Sequence, residues 1–219
     1  MAVKAVVFDA YGTLFDVRSV AASCEATFPS RGDALTGLWR VKQFEYTWLL
    51  SLMGGYEDFQ SVTGRALRFS CRSLGLSLDK RAEARLMGEY LKLEPFPEVS
   101  SALQALSGYR LAMLSNGSPD MLRAVVEHAG LSDVFEQVIS VDELRVYKPS
   151  PKVYRLACRK LGLRAGDIGF VSSNSFDVVG AKRFGLKVFW VNRSGAPLDE
   201  LDATPDAVLN SLADLVTAL

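Results

Sequence analysis

The sequence predicts an α/β fold: a parallel, doubly wound sheet with a helical subdomain inserted after its first strand. Three observations predict it. Short apolar runs recur without in–out alternation, as in strands buried on both faces. Between the later runs lie stretches of helical spacing with start and stop signals. From residue 17 to residue 92 there is no strand signal, so the alternation breaks once, directly after the first strand.

The elements follow in order. Residues 3–8 form the first strand, which delivers Asp9 at its end. Residues 35–53, 59–74 and 80–90 read as helices of the insert. "EPFPEV" (94–99) carries two prolines that break the helical pattern, and it pairs with residues 15–18 as the expected hinge. Residues 110–114 are the second strand. In "SPDMLRAVVEHAGL" Ser118 is the expected N-cap, Pro119 the first helical residue and Gly130 the stop. Residues 137–140 are the third strand, and "SPKVYRLACRKLGL" repeats the helix recipe with Ser150, Pro151 and Gly162. Residues 168–171, a helix in "SFDVVGAKRFGL" stopped by Gly185, and residues 187–191 complete the series. An insert after the first strand lies over the C-terminal ends of the strands, where open α/β sheets bind ligands. The expected division is a core of residues 1–15 and 96–219 and a cap of residues 16–95.

Composition narrows the chemistry. The 219 residues are 49% hydrophobic and 23% charged, with 25 basic and 25 acidic side chains. Such a balance offers no basic face for nucleic acid. No apolar run approaches the roughly 20 residues of a membrane helix, so no membrane partner is expected. The opening residues read as a strand, not as an export signal. Cys24, Cys71 and Cys158 are odd in number and lack metal-ligand spacing, which fits a reducing, cytoplasmic setting. The single histidine, His128, sits late in a helix as a structural residue. Ser-His-Asp catalysis and histidine-rich metal sites are thereby disfavoured.

Four polar clusters fall at strand ends: Asp9 with Thr13; Ser115 and Asn116 in "LSNGS"; Lys148 in "VYKPSP"; and Ser172, Ser173, Asn174 and Asp177 in "FVSSNSFD". Singly each is a turn former or a solvated loop residue. In a doubly wound sheet all four converge on one rim.

"DAYGTL", "SNG", "KP" and "SSNSFD", in that order with a helical insert after the first, resemble the haloacid dehalogenase (HAD) superfamily over nearly the whole chain. The resemblance implies a HAD-like, Rossmann-like core, an aspartate nucleophile and a mobile cap. Most members are Mg²⁺-dependent phosphatases with a first motif D-x-D and a pair of acids in the last motif. Here position 11 is Tyr, and the last cluster leaves only Asp177 as an acid. Mg²⁺ favours carboxylate ligands, and phosphoryl transfer depends on its charge. No metal and no cofactor is therefore expected, and the leaving group should need no proton. Halide is such a group. "FDAYGTL" with "SSNSFD", Arg40 in "LWRVKQFEYTWL" and the following "GGYEDFQSVT" are similar to the (S)-2-haloacid dehalogenase branch.

That resemblance implies hydrolysis of (S)-2-haloalkanoic acids to (R)-2-hydroxyalkanoic acids, by SN2 attack of Asp9 at C2 and hydrolysis of the aspartyl ester. Lys148, Thr13 and the amides of residues 10–13 would keep Asp9 ionised. Ser115 would anchor the substrate carboxylate; Arg40, Asn116 and the edge of Phe176 would cradle the halide; Tyr11, Phe59 and Phe44 would form an apolar wall. Asp177, held with the water by Asn174, Ser172 and Lys148, is the candidate base, with Tyr154 orienting Lys148 or Asp177. Blander readings stand beside these: Arg40 as a seam residue with Phe44 and Trp48, Phe59 as core, Tyr154 as helix packing, and Asp177 as an acid favoured by a helix dipole. The resemblance also implies a homodimer through the cap helices. The alternative activity is a HAD phosphatase or phosphonatase-like hydrolase with an atypical first motif; the third reading is a non-catalytic interaction protein.

Overall fold

The computed structural model describes residues 3–219; the first two residues of the expected core lie outside the described residues. Six parallel strands form one sheet in the order β3-β2-β1-β4-β5-β6. They are β1 (Ala5–Phe8), β2 (Arg110–Ser115), β3 (Gln137–Ser140), β4 (Ile168–Ser172), β5 (Lys187–Val191) and β6 (Ala207–Leu209). The residues of β1 and β4 are buried throughout. That is why their sequence runs are continuously apolar: parallel strands at a sheet centre have no face left for water.

Phe8, the last residue of β1, lies opposite Met113 of β2 and Val171 of β4, so both neighbours run on past it, to Ser115 and Ser172. From β1 the chain steps outward through β2 and β3, then returns to β4 on the other side of β1. The winding reverses between β1 and β4. At such a switch point the two crossovers leave a crevice beyond the strand ends, and Asp9 and residues 172–177 border it.

The insert holds α1 (Arg18–Thr27), α2 (Gly32–Leu52), α3 (Phe59–Ser73) and α4 (Lys80–Glu89). These helices pack on one another, α2 against α1 and α3, and α4 against α1 and α3. Trp39 and Tyr90 meet edge-on in their midst at 5.3 Å. Asp58 and Asp79 accept from the Ser61 and Ala82 amides and cap α3 and α4. The two crossings between insert and sheet lie side by side: Asp16 N–H donates to Glu94 O (2.8 Å) and Phe96 N–H to Leu14 O (2.9 Å).

The core continues with α5 (Val99–Ala105), α6 (Pro119–His128), α7 (Pro151–Leu161), α8 (Ser175–Phe184) and α9 (Leu215–Ala218). Pro119 and Pro151 open α6 and α7 as expected, and Gly162 and Gly185 end α7 and α8 in left-handed conformation. Two expectations need correction. Ser118 and Ser150 stand at N-cap positions, but neither side chain makes a capping bond; the proline that follows leaves one free amide fewer at the helix start. The first strand starts at Ala5 rather than at residue 3, and β6 was not foreseen, because three residues at a sheet edge carry too little pattern to register.

Candidate active site

Asp9 leaves the end of β1 with its amide on Val171 O (2.9 Å). Its side chain is buried, and both oxygens are held. Lys148 Nζ donates to Oδ1 (3.0 Å); Thr13 Oγ1 (3.0 Å) and Asn174 Nδ2 (2.8 Å) donate to Oδ2. The amides of Gly12 and Thr13, expected to serve Asp9, are used within the loop instead: Gly12 N–H reaches Phe15 O and Thr13 N–H reaches Ala10 O. Gly12, at φ +88°, makes that tight return possible.

Lys148 is 1% exposed and also donates to Asp177 Oδ2 (2.8 Å), so one ammonium joins two buried carboxylates. Burial works against its charge, but Asp177 and Asp9 outweigh this and raise its pKa above the ordinary lysine value. Its backbone amide donates to Asn116 Oδ1 (3.0 Å), which ties the second and third clusters together. Asp177 is fully buried. Desolvation raises its pKa to about 6 although Lys148 opposes, and nearby Asp9 adds to the rise. Tyr154 donates its hydroxyl to Asp177 Oδ1 (2.8 Å). It orients Asp177, and burial beside that carboxylate keeps the phenol protonated.

Arg40 reaches down from α2. Nη1 donates to Gln43 Oε1 (2.9 Å) and Nη2 to Tyr11 O (3.2 Å), and the guanidinium lies over the Phe44 ring at 4.1 Å. Burial lowers its pKa while Tyr90 and Asp9 push the other way; a guanidinium stays charged regardless. Phe176 meets Phe44 (4.9 Å) and Trp48 (5.3 Å) edge-on. Tyr11 stacks on Phe59 (5.9 Å) and meets Tyr90 edge-on; its hydroxyl is buried and has no hydrogen-bond partner among the described residues. Ser115 Oγ accepts the Gly117 amide (3.1 Å), and a Cβ at Gly117 would come within 2.9 Å of the Tyr11 ring. Ser172 Oγ accepts the Asn174 amide (3.1 Å) and so shapes the turn into α8. An apolar cleft of about 670 Å³, walled by Trp48, Leu52, Tyr147, Phe176 and Leu201, leads down to Lys148.

All thirteen expected site residues therefore gather around the switch point or its cap-side wall, with some redistribution. Asn174 attends Asp9. Phe59 serves both the cap core and the wall. His128 lies apart, at the surface beside Glu94.

Gln43 and Tyr90 escaped the sequence reading, and Ser173, read there only as a member of the fourth cluster, has a definite partner. Ser173 donates its amide to Thr13 Oγ1 (2.9 Å), which leaves the threonine proton for Asp9. Fully buried Gln43, held by Thr63 Oγ1 (2.7 Å), fixes Arg40, and Tyr90 walls the site. The spacing of Gln43 three residues after Arg40 was the available signal.

The donor set does not fit Mg²⁺. Asp9 and Asp177 spend an oxygen each on one ammonium, Tyr11 turns its ring into the aromatic wall, and among the described residues no group of three or more acids, histidines or cysteines converges. Mg²⁺ takes an octahedron of oxygen ligands, and position 11 offers it an aromatic ring in place of a carboxylate.

Comparisons with known proteins agree with this geometry. Residues 3–185 match the family model described as a haloacid dehalogenase-like hydrolase. The (S)-2-haloacid dehalogenase of Pseudomonas sp. (strain YL) is 51% identical over 216 residues, covering 98% of this chain and 93% of its own. A crystal structure of an L-2-haloacid dehalogenase superposes with a TM-score of 0.98 at 48% identity, over 99% of this chain and 98% of that one. The L-2-haloacid dehalogenase from Xanthobacter autotrophicus, solved with chloropropionic acid covalently bound, gives 0.92 at 45% identity over 98% and 97%. With a matched family model over most of its length and relatives this similar end to end, the chain belongs to the haloacid dehalogenase-like hydrolases.

Proposed function

We propose that this chain hydrolyses (S)-2-haloalkanoic acids to (R)-2-hydroxyalkanoic acids. One observation carries the reading: a buried Asp9 with donors on both oxygens and no acid at position 11, where an alcohol leaving group would need one. Halide needs no proton. The relative with chloropropionic acid covalently bound supports an ester intermediate.

Asp9 attacks C2 from the side opposite the halogen. The new C–O bond forms as the C–halogen bond breaks, and C2 inverts. Lys148, Thr13 and Asn174 keep the nucleophile ionised and aimed. The formal charges of Asp9, Asp177, Lys148 and Arg40 cancel, so the anionic substrate meets no net repulsion from these four. Ser115 and the turn after it anchor the substrate carboxylate. Asn116 spends its carbonyl on the Lys148 amide, which leaves its NH₂ end, with Arg40 and the Phe176 edge, for the halide. Tyr11, Phe59 and Phe44 wall the alkyl side. Water then attacks the ester carbonyl of Asp9. Asp177, held by Lys148 and Tyr154, takes its proton and returns it to the oxygen on C2 as the bond from that oxygen to the Asp9 carbonyl carbon breaks. This frees the 2-hydroxy acid and restores the Asp9 carboxylate, with Ser172 and Asn174 shaping the turn beside Asp177.

In this reading residues 1–15 and 96–219 are the core and residues 16–95 the cap, hinged where the two crossings pair. α2 and the Met53 that follows it expose Val41, Trp48, Leu49, Leu52 and Met53, an apolar stripe that supports a homodimer through the cap. The three cysteines are free thiols, which supports a cytoplasmic setting. Among the described residues no helix is long and apolar enough to cross a membrane.

The test is halide release from (S)- and (R)-2-chloropropionate with excess chelator, for the wild type and Asp9→Ala. Release from the (S) form alone, abolished by the substitution, is expected. Equal use of both enantiomers would sink inversion by Asp9; phosphatase activity lost on chelation would favour the HAD phosphatase alternative.

A further inference from the structure

Behind the nucleophile, Arg193 follows β5 and meets four partners. Nη2 donates to Thr13 O (3.0 Å) and Nη1 to Gly12 O (3.3 Å). Nε and Nη2 both reach Glu98 Oε1, at 2.9 and 2.7 Å. The guanidinium lies 3.8 Å from the centre of the Phe96 ring. Glu98 and Phe96 belong to the returning crossing of the insert, and Gly12 and Thr13 to the loop that leads into the outgoing one.

The two carbonyls are not equally protected. Gly12 O also accepts from Ser173 Oγ (2.7 Å), whereas Arg193 is the donor found for Thr13 O. Thr13 in turn gives its only hydroxyl proton to Asp9 Oδ2. A cleft lined by Arg18, Phe96, Glu98, Trp190, Asn192 and Arg193 approaches this loop from the solvent side.

We propose that Arg193 is a positioning residue, its planar fork clamping the Thr13 loop to Glu98 on the returning crossing so that the Thr13 hydroxyl stays on Asp9 whatever the cap does. A lysine could keep the ion pair but cannot span two carbonyls and a carboxylate at once. The kinetic arm of the test rests on the dehalogenase reading; the exchange arm does not.

Halide release from (S)-2-chloropropionate is measured for the wild type, Arg193→Met, Arg193→Lys, Thr13→Val and the double variant Thr13→Val/Arg193→Met. Hydrogen exchange is followed over residues 10–16. Arg193→Met should lower kcat about tenfold with little change in KM, since sub-ångström drift of an aligning group acts on the transition state. Arg193→Lys should fall between. If Arg193 acts through Thr13, adding Arg193→Met to Thr13→Val should cost no more than about twofold. Exchange at Thr13, Leu14 and Phe15 should quicken in Arg193→Met. Full multiplication of the two effects, or an unchanged kcat in Arg193→Met, would overturn the assignment. If Arg193→Met does not fold, Glu98→Gln decides instead, by a lower kcat at constant KM or by no change. If the wild type releases no halide, the dehalogenase reading fails by itself, and unaltered exchange in Arg193→Met would then overturn the clamp.

Discussion

Replacing Lys148 with methionine removes the one ammonium that joins Asp9 and Asp177 while nearly preserving the side chain's length. In the structure this cation makes bonds of 3.0 and 2.8 Å to two carboxylates that water barely reaches. Breaking one partner out of a buried charge network costs about 3–5 kcal/mol, because the remaining charges are left uncompensated. The loss should depend on pH with a definite sign. Asp177 already has its pKa raised to about 6 with the ammonium in place, and without it the rise is larger. A carboxyl with a raised folded-state pKa holds a proton that the unfolded chain has released. Its contribution to stability is therefore lost as pH climbs from the ordinary carboxylate range through the folded value. Urea unfolding at about pH 5 and about pH 8 should show Lys148→Met far weaker than wild type at the higher pH, with a smaller deficit at the lower. Halide release should vanish at both. A deficit under about 1 kcal/mol at the higher pH, or one independent of pH, would refute the claim that Lys148 holds two ionised acids together.

Three other perturbations test separate parts of the site. Halide turnover should decline about tenfold per pH unit below about 6, as Asp177 takes up the proton that removes its basicity; Asp177→Asn should stop after the first step and leave the carboxyalkyl fragment ester-linked to Asp9, visible by mass spectrometry of the intact protein. Arg40→Lys should lower kcat/KM about 10²-fold, since an ammonium cannot hold Gln43 and the Tyr11 carbonyl while facing the halide; an effect confined to thermal stability would return Arg40 to a seam role. Tyr11→Phe deletes a buried hydroxyl that has no partner among the described residues, so thermal melting should show a gain of about 1 kcal/mol, and a loss would mean that the hydroxyl has an unrecognised bond.

Much of this was legible along the chain. The buried strands announce themselves because a strand with no wet face has no polar residues to spare, and Asp9 stands out as the first charge after such a run. Helices α3 and α4 were found by periodicity and α6 and α7 by their opening prolines, all local signals. The site residues could be collected because winding places the ends of β1, β2 and β4 on one rim. Where reading fell short, the missing information was non-local or too brief. β6 is three residues long. The free Ser118 hydroxyl and the loop-bound amides of Gly12 and Thr13 reflect competition for partners, which no spacing rule resolves.

By itself, then, the sequence determined the doubly wound core, the inserted cap and the absence of a second acid at position 11, because burial pattern, breakers and residue identity are properties of short stretches. Only the tertiary structure decided who holds whom: that Asn174 serves Asp9, that Tyr154 grips Asp177 rather than Lys148, and that Arg193 bridges the nucleophile loop and the returning crossing. Those choices join residues up to 181 positions apart. They depend on side-chain direction and on which donors remain free once the backbone has taken its share, and neither exists until the chain has folded.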